Sequence, residues 1–177
     1  MVYTCHYQSP LGGILLAADE IGLTGLWFDG EKYLADQLPA EHIQQDTPIL
    51  REAVRWLDAY FAGQEPDFLP PLHPDGSDFQ RSVWEILLTI PYGQTTTYGA
   101  IAKRLAEQRG VPRLSAQAVG GAVGHNKISV IIPCHRAVGA NGSLTGYAGG
   151  IDKKVKLLEL EHTDMGGFFV PKRGTAL

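Results

Sequence analysis

Apolar positions recur with period two near the amino terminus and with helical spacing beyond residue 48. Tyr3, Cys5 and Tyr7 alternate with Thr4, His6 and Gln8, which predicts a strand. Ser9-Pro10-Leu11-Gly12-Gly13 is turn chemistry. Residues 14–18 predict a second strand, residues 19–22 turn again, and residues 23–28 predict a third, so the pattern reads as an antiparallel meander. Asp46-Thr47-Pro48 opens a helix, with Pro48 in its first turn. Ile49, Ala53, Trp56, Leu57 and Tyr60 share one face of it, and Gly63 stops it.

Residues 66–74 hold four of the chain's 11 prolines and read as a linker. Beyond it, Asp78 reads as the N-cap of a helix with Phe79, Val83, Ile86, Leu87 and Ile90 inward, closed by Pro91-Tyr92-Gly93. Thr95-Thr96-Thr97 offers a cap for the next helix. There Tyr98, Ile101, Ala102 and Leu105 share a face until Gly110-Val111-Pro112 breaks it. Ser115 can cap a further helix over residues 116–123. Two short helices about a Gly/Pro turn predict a helix-turn-helix, a motif that ordinary helical packing also produces. The second helix is nearly all Ala, Gly and Val, with Gln117 its one polar side chain. A helix that reads the major groove displays several long polar residues. This one suits close backbone approach in a minor groove, or tight packing of Gly120 and Gly121 inside the domain. Asp152 reads as the cap of a last helix over residues 153–161, with Val155, Leu157 and Leu158 inward. The fold class is α+β: a small antiparallel-strand and helix domain over residues 1–75, a mainly helical domain over 76–165, and a tail, 166–177.

Composition leaves this picture standing: 44% hydrophobic and 19% charged residues describe a globular chain. No apolar run approaches the ~20 residues that span a bilayer. The first residues lack a basic flank and an apolar core of signal type, so a cytoplasmic protein is expected. Two cysteines 129 positions apart suggest no disulfide. Charge adds a polarity. Residues 1–78 carry 3 Lys/Arg against 13 Asp/Glu, net −10, and residues 79–177 carry 12 against 6, net +6. A positive half can meet phosphates, although ordinary surface variation also produces such asymmetry.

The candidate chemistry lies in residues 126–136. The apolar run Val130-Ile131-Ile132 is stopped by Pro133, which cannot continue regular structure, so the chain must turn at Cys134 and His135. A free Cys after an apolar run is usually an inert core residue. Imidazole and guanidinium neighbours favour the reactive thiolate instead. Pro133-Cys134-His135-Arg136, with Asn126 upstream and Gly146-Tyr147-Ala148-Gly149-Gly150 downstream, resembles the active-site region of the O6-alkylguanine-DNA alkyltransferases. The likeness runs strongly from Phe79 to Glu161 and loosely before it.

The resemblance implies a ribonuclease H-like first domain and single-turnover transfer of an alkyl group from O6 of guanine to Cys134. No cofactor is required, and the glycine-rich loop lacks a nucleotide-binding pattern. It implies that His135 takes the Cys134 proton through a water, Glu161 orients His135, and Asn126 braces the turn. Tyr98 would hydrogen-bond guanine N3, and Tyr147 and Ala148 would line the base pocket. Gln117, Gly120, Gly121, Ala122 and Ala137 would contact DNA. The partner would be double-stranded DNA, bound through its minor groove by a monomer, with the alkylated guanine flipped out. Blander readings stay open: Glu161 as a solvated helix end, Asn126 as a loop residue, Tyr98 as a core tyrosine. Arg136 fits structural ion pairs.

Two departures stand out. Gln117 occupies the place, seventeen residues before Cys134, where the family often has an intercalating Arg, and Ala148 stands where a Ser often serves. The helix-turn-helix is also longer around residues 107–113. Some members carry a structural zinc in the first domain; here Asp19 and Thr24 replace two donors, leaving Cys5 and His73, so no metal is expected. The alternatives are a lesion-binding protein without catalysis, a helix-turn-helix regulator with a structural Cys, and a Cys-His hydrolase.

Overall fold

The computed structural model describes residues 1–31 and 34–171. Its residues cluster into two units. One comprises Met1–Asp75 together with Lys127–Ser129; the other comprises Gly76–Asn126 and the chain from Val130 onward.

In the first unit, strands β1 (Tyr3–Ser9), β2 (Gly12–Ala18) and β3 (Leu23–Phe28) form the antiparallel meander that the alternation predicts. Ser9 closes the first turn, its hydroxyl donating to the Gly12 carbonyl at 2.6 Å and accepting from Leu11 N–H. A two-residue strand, β4 (Ile43–Gln44), adds to β1 in parallel, and sequence alternation gave no sign of it. All of Ile14 to Ala18 is buried because both faces of the sheet are covered. Helix α2 (Pro48–Phe61) buries Leu50, Ala53, Trp56, Leu57 and Tyr60. On Leu15, Ala17 and Trp27 lie Val2, Leu34 and Leu38, two of them in or beside the short helix α1 (Leu34–Gln37). Leu50, not Ile49, takes the fully buried place on α2. Thr47 caps that helix, accepting from Leu50 N–H, with Pro48 at its first position.

The outer edge of β3 is covered by two short stretches. Leu23 exchanges backbone bonds with Pro71 and His73, each 2.7 Å, and Leu26 with Lys127 and Ser129, at 2.9 and 3.1 Å. Pairing satisfies backbone groups that an open edge would leave exposed. Glu31, nearly buried, accepts from the Ser129 hydroxyl at 2.9 Å and from Phe28 N–H at 2.8 Å. His73, one of the two donors left above, bonds at 2.6 Å to Asp19, which stands in place of a missing one, and Asp19 Oδ1 also accepts from Ile21 and Gly22 N–H. Among the described residues no three of His, Cys, Asp and Glu gather as a metal-binding group.

The second unit is mainly helical. Helix α3 (Asp78–Leu87) is capped by Ser77, not Asp78: Ser77 and Gln80 exchange side-chain and backbone bonds in a capping box. Phe79 is only half-buried, whereas Trp84, which the spacing argument passed over, is buried and donates to the Ala122 carbonyl at 2.9 Å. Strand β5 (Thr96–Thr97) pairs in parallel with β6 (Ala137–Val138). Helix α4 (Tyr98–Arg109) starts at the Thr97 cap and ends on Gly110 at φ +66, the left-handed stop that glycine adopts without strain. Ser115 caps helix α5 (Ala116–Gly124), accepting from Gln117 and Ala118 N–H. Helix α6 (Ile151–Leu160) begins after Gly150 with no side-chain cap, so Asp152 is an exposed first-turn acid instead. No helix among the described residues is long and apolar enough to cross a membrane.

Candidate active site

The turn that carries Cys134 is built in the second unit by constraints close in sequence. Val130 is fully buried with φ +70, a region that β-branched residues rarely enter. Pro133, at φ −81 and ψ 66, makes an inverse γ-turn, and Cys134 N–H donates to the Ile132 carbonyl at 2.7 Å. The buried Asn126 donates its Nδ2 to the same carbonyl at 2.8 Å. One short 3₁₀ turn, Cys134–Arg136, follows, so consecutive side chains fan out from a rigid start. Cys134 is 6% exposed.

Glu161 reaches the turn from the end of α6. His162 closes that helix at φ +61, and its N–H bonds the Glu159 carbonyl while Thr163 N–H bonds that of Leu158. That pair of bonds is a Schellman motif with a non-glycine at its left-handed position. Glu161 Oε2 lies 2.6 Å from His135 Nε2, and Arg136 grips both carboxylate oxygens, at 2.8 and 3.0 Å. Gly93 N–H donates to Oε1, and Arg136 Nη1 to the Ile90 carbonyl at 2.7 Å. Burial pushes the Glu161 carboxyl up, but its bonds and charge contacts with His135 and Arg136 outweigh this and hold it well below the usual range. Glu161 is therefore a permanent anion and not a solvated helix end.

Burial drives His135 below its ordinary pKa; the bond and charge of Glu161 oppose this, while Arg136 and Lys154 reinforce it. His135 is thus neutral at neutral pH. With Glu161 ionised, the neutral ring carries its proton on Nε2, donated to the carboxylate, which leaves Nδ1 as a bare acceptor. Nδ1 is buried and has no hydrogen-bond partner among the described residues. An oriented, unprotonated imidazole nitrogen can take a proton from a group brought within hydrogen-bond reach.

Two further groups sense Cys134. Lys154, which the sequence reading did not single out, is fully buried, donating to the carbonyls of Ala137 at 2.7 Å and Thr145 at 2.8 Å. Burial lowers its pKa to about 8, opposed by negative charge at Cys134. Tyr98 is pushed up to about 12 by burial, with its Thr145 bond opposing and Cys134 charge adding. Its hydroxyl donates to the Thr145 carbonyl at 3.2 Å. A buried ammonium favours a neighbouring thiolate. Lys154 shares its stripe with Leu157, Leu158 and Glu161, at helical spacings of three, four and seven, so this one signal lay in the sequence. Val155, expected inward, is half-buried.

The other expected residues divide. Tyr147 is buried with its ring 6.5 Å from that of His135, edge-on. Ala148 beside it is half-buried. Gln117 is exposed on the first turn of α5, and Gly121 faces open space. Gly120 and Ala122 turn inward, and Ala137 is fully buried in β6 with its carbonyl on Lys154. These three side-chain positions support the interior, so the outward small surface of α5 is Ala116, Ala118 and Gly121. A cleft between α4 and α5, lined by Lys103, Arg113, Ser115 and Gln117, shares no residue with the Cys134 cluster.

Residues 1–74 match the family described as 6-O-methylguanine DNA methyltransferase, ribonuclease-like domain, and residues 78–163 match its DNA binding domain. A methylated-DNA–protein-cysteine methyltransferase of Methanosarcina acetivorans is 48% identical over 161 residues, 90% of this chain and 98% of that one. One from Mycobacterium bovis is 46% identical over 159 residues, 88% and 92% of the two chains. The crystal structure of Mycobacterium tuberculosis OGT in complex with DNA superposes with TM-score 0.78 at 44% identity, covering 90% of this chain and 93% of that one. An O6-methylguanine DNA methyltransferase from Methanococcus jannaschii gives TM-score 0.63 at 30% identity, covering 96% and 99%.

Proposed function

The chain belongs to the 6-O-methylguanine DNA methyltransferase family, and from that premise we propose that Cys134 is the sulfur that receives the alkyl group. The protein is a methyltransferase that repairs alkylated DNA by transferring the lesion's alkyl group to itself. In the proposed reaction His135 Nδ1 takes the thiol proton, directly or through a water. The imidazolium so formed faces the fixed Glu161 carboxylate, and Arg136 keeps that carboxylate ionised and aimed. Lys154 lowers the cost of the thiolate beside it. Sulfur attacks the alkyl carbon, a C–S bond forms, the C–O6 bond breaks, and its electron pair stays on the guanine. Tyr98, protonated throughout the neutral range, turns its O–H from the Thr145 carbonyl to guanine N3 as that charge develops. The product is a thioether, which water does not cleave, so each molecule acts once.

The stacked duplex hides O6, so the guanine is flipped out, at a cost of a few kcal/mol. Small residues on the outer face of α5 fit close approach to a minor groove, with Gln117 positioned to fill the vacated place. The protein acts as a monomer, since one chain carries all these groups, and a reducing cytoplasm keeps Cys134 a thiol. The observation that carries the assignment is the buried His135 Nδ1, without a hydrogen-bond partner among the described residues, on the residue that follows Cys134. Intact-mass measurement after incubation with duplex DNA carrying O6-methylguanine tests it. One added methyl on the Cys134 peptide, absent in Cys134→Ser, is expected. Unchanged mass with tight lesion binding would identify a sensor, and sequence-dependent binding a regulator.

A further inference from the structure

We propose that residues 165–169, beyond the stretch that matches the DNA binding domain, form a positioning strap that sets which O6 substituents the base pocket accepts. The proposal rests on the alkyl-acceptor reading of Cys134. After α6 the chain turns at Asp164, whose Oδ1 accepts from Gly166 N–H at 3.0 Å, and Phe168 N–H bonds the Met165 carbonyl at 3.1 Å. Phe169 then pairs with the loop that follows β6. Its N–H donates to the Gly142 carbonyl at 3.1 Å, and its carbonyl accepts from Leu144 N–H at 2.8 Å. Gly142, at φ +88, passes so near the Gly167 carbonyl that a Cβ would collide with it. Phe168 and Met165 pack on Val138, Leu144 and Leu158.

That loop leads to the residues that surround Cys134 in the proposed reaction. Thr145, next after Leu144, holds Lys154 and Tyr98 through its carbonyl, and Tyr147 faces His135. The loop is rich in glycine and has little stiffness of its own. Its position is set on one side by Lys154 and Tyr98 and on the other by the strap. Without the strap, the wall formed by Tyr147 gains freedom. A bulky substituent then fits more easily, and a methyl group is held less well.

The test compares alkylation rates for O6-benzylguanine and O6-methylguanine placed in the same duplex, using Phe168→Ala and Phe169→Pro in the full chain. Phe168→Ala empties the apolar seat; Phe169→Pro removes one strap bond and leaves the seat filled. The benzyl-to-methyl rate ratio is expected to rise about tenfold in both, the scale of a methylene-sized change in a pocket. Equal change in both rates, or none, overturns the proposal. So does failure of both variants to fold by thermal melting, since the segment would then be a folding element. A failure of the underlying reading shows differently: the unaltered chain would gain no mass.

Discussion

Glu161 and Lys154 are the two charged side chains that α6 buries, and they fare oppositely. Glu161 is matched by Arg136 on both oxygens; taking away one partner of a buried ion pair costs about 3 to 5 kcal/mol. Glu161→Gln is therefore expected to lower unfolding free energy by about 3 kcal/mol, measured in urea. The folded carboxyl lies below its unfolded value of about 4.3, so its stabilisation is present above that pH and fades as pH falls. The acid-side loss of stability should be steeper in the wild type than in Glu161→Gln. Lys154 has its folded pKa lowered to about 8, so the ammonium that supports a thiolate is lost above that pH. Alkylation by free O6-benzylguanine should fall off beyond pH 8. Lys154→Met should react about tenfold more slowly at pH 7, the effect of one pKa unit, and lack the fall near pH 8. A persistent step in that variant would separate Lys154 from the sulfur. Cys134 and His135 were legible because the proline and the thiol are neighbours in sequence. Lys154 was not, since a lysine in a helix is ordinarily solvated, and only its place on the stripe with Leu157, Leu158 and Glu161 distinguishes it.

Helix α5 shows what small residues accomplish at the scale of an element. Gly120 and Ala122 pack inward, so α3 lies close enough for Trp84 to bond a carbonyl of α5, while Gly121 opens outward. Gly121→Ala should fold as well as the wild type or gain about 0.5 to 1 kcal/mol, because alanine favours helix. The same change should weaken duplex binding in a titration, and Gln117→Ala should slow duplex repair while leaving the reaction with free O6-benzylguanine nearly intact. Equal slowing of both substrates by Gln117→Ala would exclude a role for it in base flipping. The helices themselves were readable from spacing. Their caps were misplaced at Ser77 and Gly150 because Asp is acceptable both at an N-cap and in the first turn, and composition does not choose between them. Strand β4 and the edge pairings at residues 71–73 and 127–129 escaped notice because two or three residues carry no period.

At the scale of the whole chain the charge is divided, −10 over residues 1–78 and +6 over residues 79–177. Phosphate contacts release counterions, so duplex affinity should fall steeply between 50 and 200 mM salt, by roughly 0.9 in log K per log unit of salt for each contact. The rate with free O6-benzylguanine should stay nearly constant over the same range. A salt-independent duplex rate would remove the electrostatic part of recognition.

The return of Lys127–Ser129 to the first unit makes the two units inseparable by a single cut. A fragment ending at Asp75 would lack the stretch that covers Leu26, and the bare rim of β3 would invite like fragments to stack upon it. Any attempt to make this protein in two pieces must supply those three residues to the first piece, or expect it to clump.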